Sequence, residues 1–491
     1  MNAIPLSQAT LDQLPHDVPR PSYDRTVAKV GIVHLGVGGF HRAHQARYLD
    51  QLMSQGMALD WGICGVGVLP GDARMAEIME RQDCLYTLVE KHPDNTLTPR
   101  VIGSILEYLH VPAGPDAVIE RMAHPDIRIV SLTVTEGGYN LDAVTGAFKS
   151  DDPDVRHDLE GGEPPRTIFG LVTEALRRRR DRGVPAFTVM SCDNIEGNGH
   201  AAQLVFTAYA RLADPALAEW IEREVRFPNS MVDRITPGTT DADLAMVRDE
   251  FGIDDGWPVV CEPFTQWVLE DSFSAGRPPY QEVGVQVVDD VRPYELMKLR
   301  LLNAGHQAIA YFGYLAGYRM AHEACQDPRI AQFLLDYMDL EATPTLDPVP
   351  GIDLVSYKHD LVRRFSNPNV RDPLARLCTD SSDRIPKFLL PVIRLQLANG
   401  GPMERAAAII ASWARFAEAV DEAGEPITLN DRLADQLHER AVQGGTVFID
   451  NTELFGDLGA DQRFVAAYLS ALDSLHSVGA KATVDHLLTT R

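Results

Sequence analysis

From Lys29 to about Cys192 short β-rich runs alternate with amphipathic stretches: Val30 to Leu35, Ile63 to Val68, Ile127 to Val134 and Ala186 to Ser191. Parallel strands joined by crossover helices give this alternation, because each strand must return along the sheet before it can pair with the next. Between the third and fourth runs, Lys149 to Arg166 is rich in Asp, Gly and Pro and reads as a surface loop without chemistry. After about Val291 the period changes to that of helices. The apolar-periodic segments Tyr294 to Tyr318, Pro328 to Met338, Met403 to Ala423, Asp431 to Ala441 and Asp461 to Leu475 are separated by Pro, Gly and Asn. The expected class is α/β, with a parallel-sheet domain over residues 1–288 followed by a mainly α-helical domain over 289–491.

The first run leads directly into a glycine turn, Gly36-Val37-Gly38-Gly39-Phe40-His41, and then a helical pattern through Tyr48, Leu49 and Leu52. A strand, a glycine turn and a helix in this order let main-chain N–H groups approach a pyrophosphate without obstruction by Cβ. The sixth position of the GxGxxG frame is His41 rather than Gly or Ala, so the motif is degenerate. Its context still predicts a Rossmann-type domain, with Gly36, Val37, Gly38, Gly39 and Phe40 against the cofactor. Beyond the second strand run lie Asp72 and Arg74. Asp72 suits the ribose hydroxyls of NAD, whereas Arg74 leaves NADP open. Asp72 also lies further from the glycines than the usual spacing of about 20 residues.

Composition narrows the partners. Hydrophobic residues make up 45% of the 491 and charged residues 23%, and no window approaches the length of a bilayer span. A net charge of -25 argues against nucleic acid, which is bound by neutralising phosphates. The one basic run, Arg177 to Arg180, reads as the solvated last turn of a helix. The six cysteines form no CxxC pair and Met1 to Arg20 has no secretory pattern, so a cytoplasmic protein is expected, as a monomer or small homo-oligomer. No residues have metal-ligand spacing, and His41 and His44 belong to the glycine turn.

Candidate chemistry gathers on the segment Tyr294 to Ala308. At about 100° per residue with Lys298 as zero, Glu295 falls near 60°, His306 near 80° and Asn303 near 140°, one polar sector of a Leu-rich helix. Oxidising a secondary alcohol needs a base for the hydroxyl proton while hydride leaves carbon, and a buried lysine can be that base. An amide such as that of Asn303 stabilises a developing alkoxide without titrating. Asn194 and Glu136 each follow a predicted strand, where ligands of open α/β sheets bind.

Five motifs occur in order: Gly36 to His44, Thr135-Glu136-Gly137-Gly138-Tyr139, Ser191 to Gly199 with Asp193 and Asn194, Val232-Asp233-Arg234-Ile235-Thr236-Pro237, and Lys298, Asn303 and His306. Together they resemble the long-chain mannitol dehydrogenase family over nearly the whole chain. The resemblance implies a Rossmann-type domain, a helical domain, a cleft between them and no catalytic metal. It implies Lys298 as the catalytic lysine, Asn194 and Asn303 as an oxyanion hole, and Asp233 and His306 as contacts for substrate hydroxyls. Glu136 and Glu295 would then gate proton exchange between Lys298 and water. The segment Asn367 to Cys378 resembles one that supplies a substrate-contacting arginine, placed at Arg376, with Arg384 and Lys387 as further candidates. The implied activity is NAD-dependent interconversion of a polyol and a ketose, with mannitol and fructose first and arabinitol or sorbitol next. Fructuronate or tagaturonate reduction is the alternative within the family. A Schiff-base aldolase and a silent NAD sensor are the alternatives outside it.

Overall fold

In a computed structural model describing residues 3–142 and 145–489, the chain divides into two units, Met1–Arg292 and Pro293–Arg491. The first is built on five parallel strands: β1 Val30–Leu35, β2 Gly62–Gly67, β3 Ile105–His110, β4 Ile129–Leu132 and β5 Thr188–Ser191. Their order is β3-β2-β1-β4-β5. The two halves of the sheet diverge between β1 and β4, the point at which such sheets bind ligands.

The strands read as unbroken apolar runs because both faces are covered. Val33, Leu35, Cys64, Val66, Val130 and Leu132 enter one core with the helix Ile168–Arg182. Ile32, Ile63, Ile129 and Met190 enter the other with the helix Gln45–Ser54. A smaller layer lies beside this sheet, in which Tyr86–Lys91 pairs antiparallel with Leu97–Ile102 and parallel with Val259–Cys261. In a third sheet Ser230–Asp233 runs antiparallel to Gln266–Glu270, which puts Asp233 at a strand end.

Two local expectations change. The stretch expected to be a bare loop holds a helix, Pro153–Glu160, whose N-terminus is capped by Asp152 through the N–H groups of Asp154 and Val155. Asp and Pro, read as loop formers, are here an N-cap and a first-turn residue. In the basic run, Arg177 and Arg178 pair with carboxylates at the helix end, but Arg179 is buried. Its guanidinium donates to the carbonyls of Pro185, Met122, His124 and Ile127.

The second unit is helical. Its centre is Ala304–Leu315, buried on nearly every side, as expected of a helix apolar all round. Pro328–Tyr337, Glu404–Ala417 and Gln462–Thr489 pack about it. No helix among the described residues is long and apolar enough to cross a membrane.

Candidate active site

The glycine turn follows β1 directly. Gly36 has φ +92°, and a Cβ there would lie 2.2 Å from the carbonyl oxygen of Thr133. Only glycine brings the two strand ends together in this way. A Cβ on Gly38, by contrast, meets nothing within 4 Å. That position is open on its exposed side, and its lack of a side chain serves close approach from outside. The turn therefore fits the pyrophosphate of a dinucleotide. Val37 is buried in the core beneath, which leaves only its main chain for a ligand.

His34 and His41 hold the turn from below. Their rings stack with centroids 3.4 Å apart, so the imidazole at the sixth frame position packs flat against the strand where a small residue would otherwise sit. His34 bridges the Ser131 and Thr133 hydroxyls at 2.8 and 2.9 Å. Burial pushes His34 down to about 3 and His41 well below the usual range. Both rings are neutral. Among the described residues no three His, Cys, Asp or Glu side chains gather as metal ligands.

Past β2, Asp72 ends a short turn and accepts the Leu69 N–H at 2.9 Å, which fixes its carboxylate near the strand end. Arg74 instead lies over the Trp257 ring, 4.7 Å from its centroid. Past β4 and β5 sit Glu136 and Asn194, both exposed. Between them the buried Asp193 accepts the Val134 and Thr135 N–H groups at 3.1 and 2.8 Å and the Tyr139 hydroxyl at 2.9 Å. Asp233 is buried. The next residue, Arg234, donates to the carbonyls of Ala43 and Glu262 and to the Glu90 carboxylate, and so anchors that strand end.

The lysine segment is not the regular α-helix its periodicity predicts. Arg292–Met297 is α-helical, Lys298–Asn303 is a π-helical turn, and Ala304–Leu315 resumes the α-helix. Bonding from i to i+5 takes about 4.4 residues per turn, so Asn303 moves from about 140° to about 50° from Lys298, and His306 from about 80° to about −10°. With Glu295 still near 60°, the four residues span about 70° rather than about 140°. The wide turn gathers them on one side.

Lys298, Glu295 and Asn303 are buried, at 8%, 7% and 7% exposure. The side-chain nitrogen of Asn303 is buried without a hydrogen-bond partner among the described residues. A buried amide donor left unpaired is costly, and such groups mark sites that a ligand completes. His306 packs against Phe365 with the rings tilted and their centroids 4.3 Å apart. Burial first, then the charges of Arg376, Arg364, Arg384 and Lys298, hold its imidazole well below the usual range. A neutral ring can donate from one nitrogen and accept at the other, which suits a hydroxyl.

Arg376 lies in the short helix Leu374–Leu377 and is bound two-pronged by Asp372, at 2.6 and 2.5 Å. Arg384, on the helix Ser381–Phe388 rather than a loop, donates to the carbonyls of Arg376 and Leu377 at 3.4 and 3.3 Å. Lys387 is exposed on the same helix.

A family model described as the mannitol dehydrogenase Rossmann domain matches residues 30–282, and one described as the mannitol dehydrogenase C-terminal domain matches 290–476. The chain belongs to the mannitol dehydrogenase family. It is 46% identical to mannitol 2-dehydrogenase of Phaeosphaeria nodorum over 483 residues, covering 98% of this chain and 85% of that protein. A mannitol dehydrogenase of Saccharomyces cerevisiae is 45% identical over 492 residues, covering 99% and 98%. The structure of Pseudomonas fluorescens mannitol 2-dehydrogenase in ternary complex with NAD and D-mannitol matches with a TM-score of 0.90 at 46% identity, over 99% of this chain and 100% of that one. A D-sorbitol dehydrogenase in substrate-free form matches with a TM-score of 0.91 at 38% identity, over 98% and 100%.

Within this mannitol dehydrogenase family member, sequence reasoning gave no role to Asp193, Tyr139 or Arg364. Asp193 stands inside a motif singled out for its neighbour Asn194. Its link to Thr135 spans 58 residues and leaves no local trace. Arg364 closes the helix Leu354–Phe365, where a basic residue is ordinary, and only folding brings its charge to His306.

Proposed function

We propose that this family member is an NAD-dependent polyol dehydrogenase that interconverts a secondary alcohol of a sugar alcohol and the corresponding ketose, with D-mannitol and D-fructose as its preferred pair. The observation that carries the reading is the π turn, which sets a buried lysine, a buried amide with an unpaired N–H, and a neutral histidine on one side of a helix. That set can take a hydroxyl proton, stabilise the alkoxide left behind and hold a neighbouring hydroxyl.

NAD supplies the hydride acceptor at C4 of its nicotinamide. Gly36, Gly38 and Gly39, with the main chain of Val37 and Phe40, cradle its pyrophosphate, and Asp72 takes the ribose hydroxyls. Lys298 accepts the substrate proton as a neutral amine in oxidation and returns it as an ammonium in reduction, so the two directions have opposite pH trends. Asn303 and Asn194 donate to the alkoxide. His306, Asp233, Arg376 and Arg384 hold the remaining hydroxyls, and Glu295 and Glu136 pass the proton between Lys298 and water. The Asp372 carboxylate already neutralises Arg376, which favours an uncharged polyol over a hexuronate.

A panel of C5 and C6 polyols, ketoses and ketouronates, assayed with NAD and NADP, tests the reading. Highest kcat/KM is expected for D-mannitol with NAD. Preference for a ketouronate would replace the substrate assignment, and covalent trapping of a ketose on Lys298 by borohydride would replace the reaction.

A further inference from the structure

We propose that Asp193 is the positioning residue of the site, one carboxylate that sets the exits of two neighbouring strands and thereby places Glu136 and Asn194. The inference rests on the reading that those two residues serve the substrate. Thr135 has φ +66° and ψ 167°, a conformation a β-branched residue avoids unless its surroundings impose it. What imposes it is visible. Asp193 Oδ1 accepts the Thr135 N–H at 2.8 Å, and Oδ2 accepts the Val134 N–H at 3.1 Å. Two consecutive N–H groups thus share the two oxygens of one buried carboxylate.

The forced turn starts the short helix Glu136–Tyr139 and leaves Glu136 exposed at its head. At its foot Tyr139, fully buried, turns back to reach Asp193 at 2.9 Å and Ser191 at 2.5 Å. The loop is thus closed on itself through one side chain. Asp193 is held on its own strand as well, since its carbonyl accepts from the buried Asn198 amide at 2.9 Å and its N–H meets the Ser191 hydroxyl at 3.3 Å. Asn194, the next residue, starts from a fixed point. Asp193 touches no reacting atom in this reading and acts only through its neighbours.

Asp193→Asn keeps the shape but turns one acceptor oxygen into a donor, so one of the N–H groups of Val134 and Thr135 loses its acceptor. Expected is a fall in kcat of about 10- to 100-fold with NADH affinity, measured by fluorescence, changed less than about threefold. The distinguishing readout is a set of cycles with Asn194→Ala and Glu136→Gln. A positioning role predicts that Asp193→Asn loses most of its effect once both are removed, whereas a merely structural role predicts the same factor in every background. If Asn194→Ala and Glu136→Gln themselves leave kcat unchanged, the functional reading fails. If they lower it while Asp193→Asn leaves it within about twofold, or multiplies with them in full, the positioning inference fails. Should Asp193→Asn not accumulate as folded protein, Tyr139→Phe decides on the same cycles, with an expected loss in kcat of about 3- to 10-fold.

Discussion

Asn303→Ala separates function from stability because the two should move in opposite directions. In most buried sites, removing a polar side chain strands its partner. Here the Asn303 nitrogen has no partner among the described residues to strand. Removing it relieves a buried unsatisfied donor, about 1–3 kcal/mol, and exchanges Asn for the best helix former, about 0.6 kcal/mol. Lost packing opposes these gains by about 1–2 kcal/mol. The net is near zero or stabilising, so Tm should hold or rise, at about 2–4 °C per kcal/mol for a unit of this size. Activity should fall sharply, because an oxyanion donor contributes about 2.7–4 kcal/mol to the transition state, or 10²- to 10³-fold in kcat. The assays are NADH absorbance in both directions and thermal unfolding on the same preparations. A kcat within about threefold of the parent, or a Tm that drops in step with activity, would refute the reasoning.

Lys298→Ala should lower kcat by about 10²- to 10⁴-fold while leaving NADH binding intact, and a small exogenous amine should restore part of the rate; normal turnover would end its role as acid/base. Asp72→Ala should erode the preference for NAD over NADP, read as the ratio of the two kcat/KM values, and a parent enzyme that prefers NADP would remove Asp72 from the cofactor site. Exhaustive chelation should leave activity intact, and loss restored by zinc would overturn the mechanism. Burial raises Glu341 from 4.5 to about 7, although its carboxylate accepts the N–H groups of Arg405 and Ala406 at 2.8 and 2.7 Å. The folded chain therefore holds this proton after the unfolded chain has released it. The stability it contributes is complete below about pH 4.5 and is lost as pH rises through about 7, on the order of 3 kcal/mol. Glu341→Gln should flatten that part of the pH dependence in chemical denaturation at pH 5 and 8, and parallel slopes for the two proteins would show the assignment wrong.

What the sequence by itself determined is local in origin. The apolar runs ending in Leu35, Leu132 and Ser191 are strands, because a β-rich run between turn residues has few other outcomes. Gly36 could be read as a turn residue because it stands between a strand run and a helical pattern, and its φ of 92° is one glycine adopts freely. Lys298, Asn303 and His306 could be placed together because helical spacing brings them to one side under either kind of turn. Tertiary structure decided the rest. The i to i+5 closure of Lys298–Asn303 leaves no mark in the Leu-rich periodicity of the segment. The left-handed turn at Thr135 is imposed by a carboxylate 58 residues away, against the residue's own preference. Arg179 left the solvent because the carbonyls of Met122, His124 and Ile127, far off in the chain, join that of Pro185 around it, and Arg376 is paired with Asp372 across a helix start. Local preferences are worth tenths of a kcal/mol to about one, and a buried charge or a cluster of orphaned carbonyls is worth several, so wherever the two disagree the fold prevails.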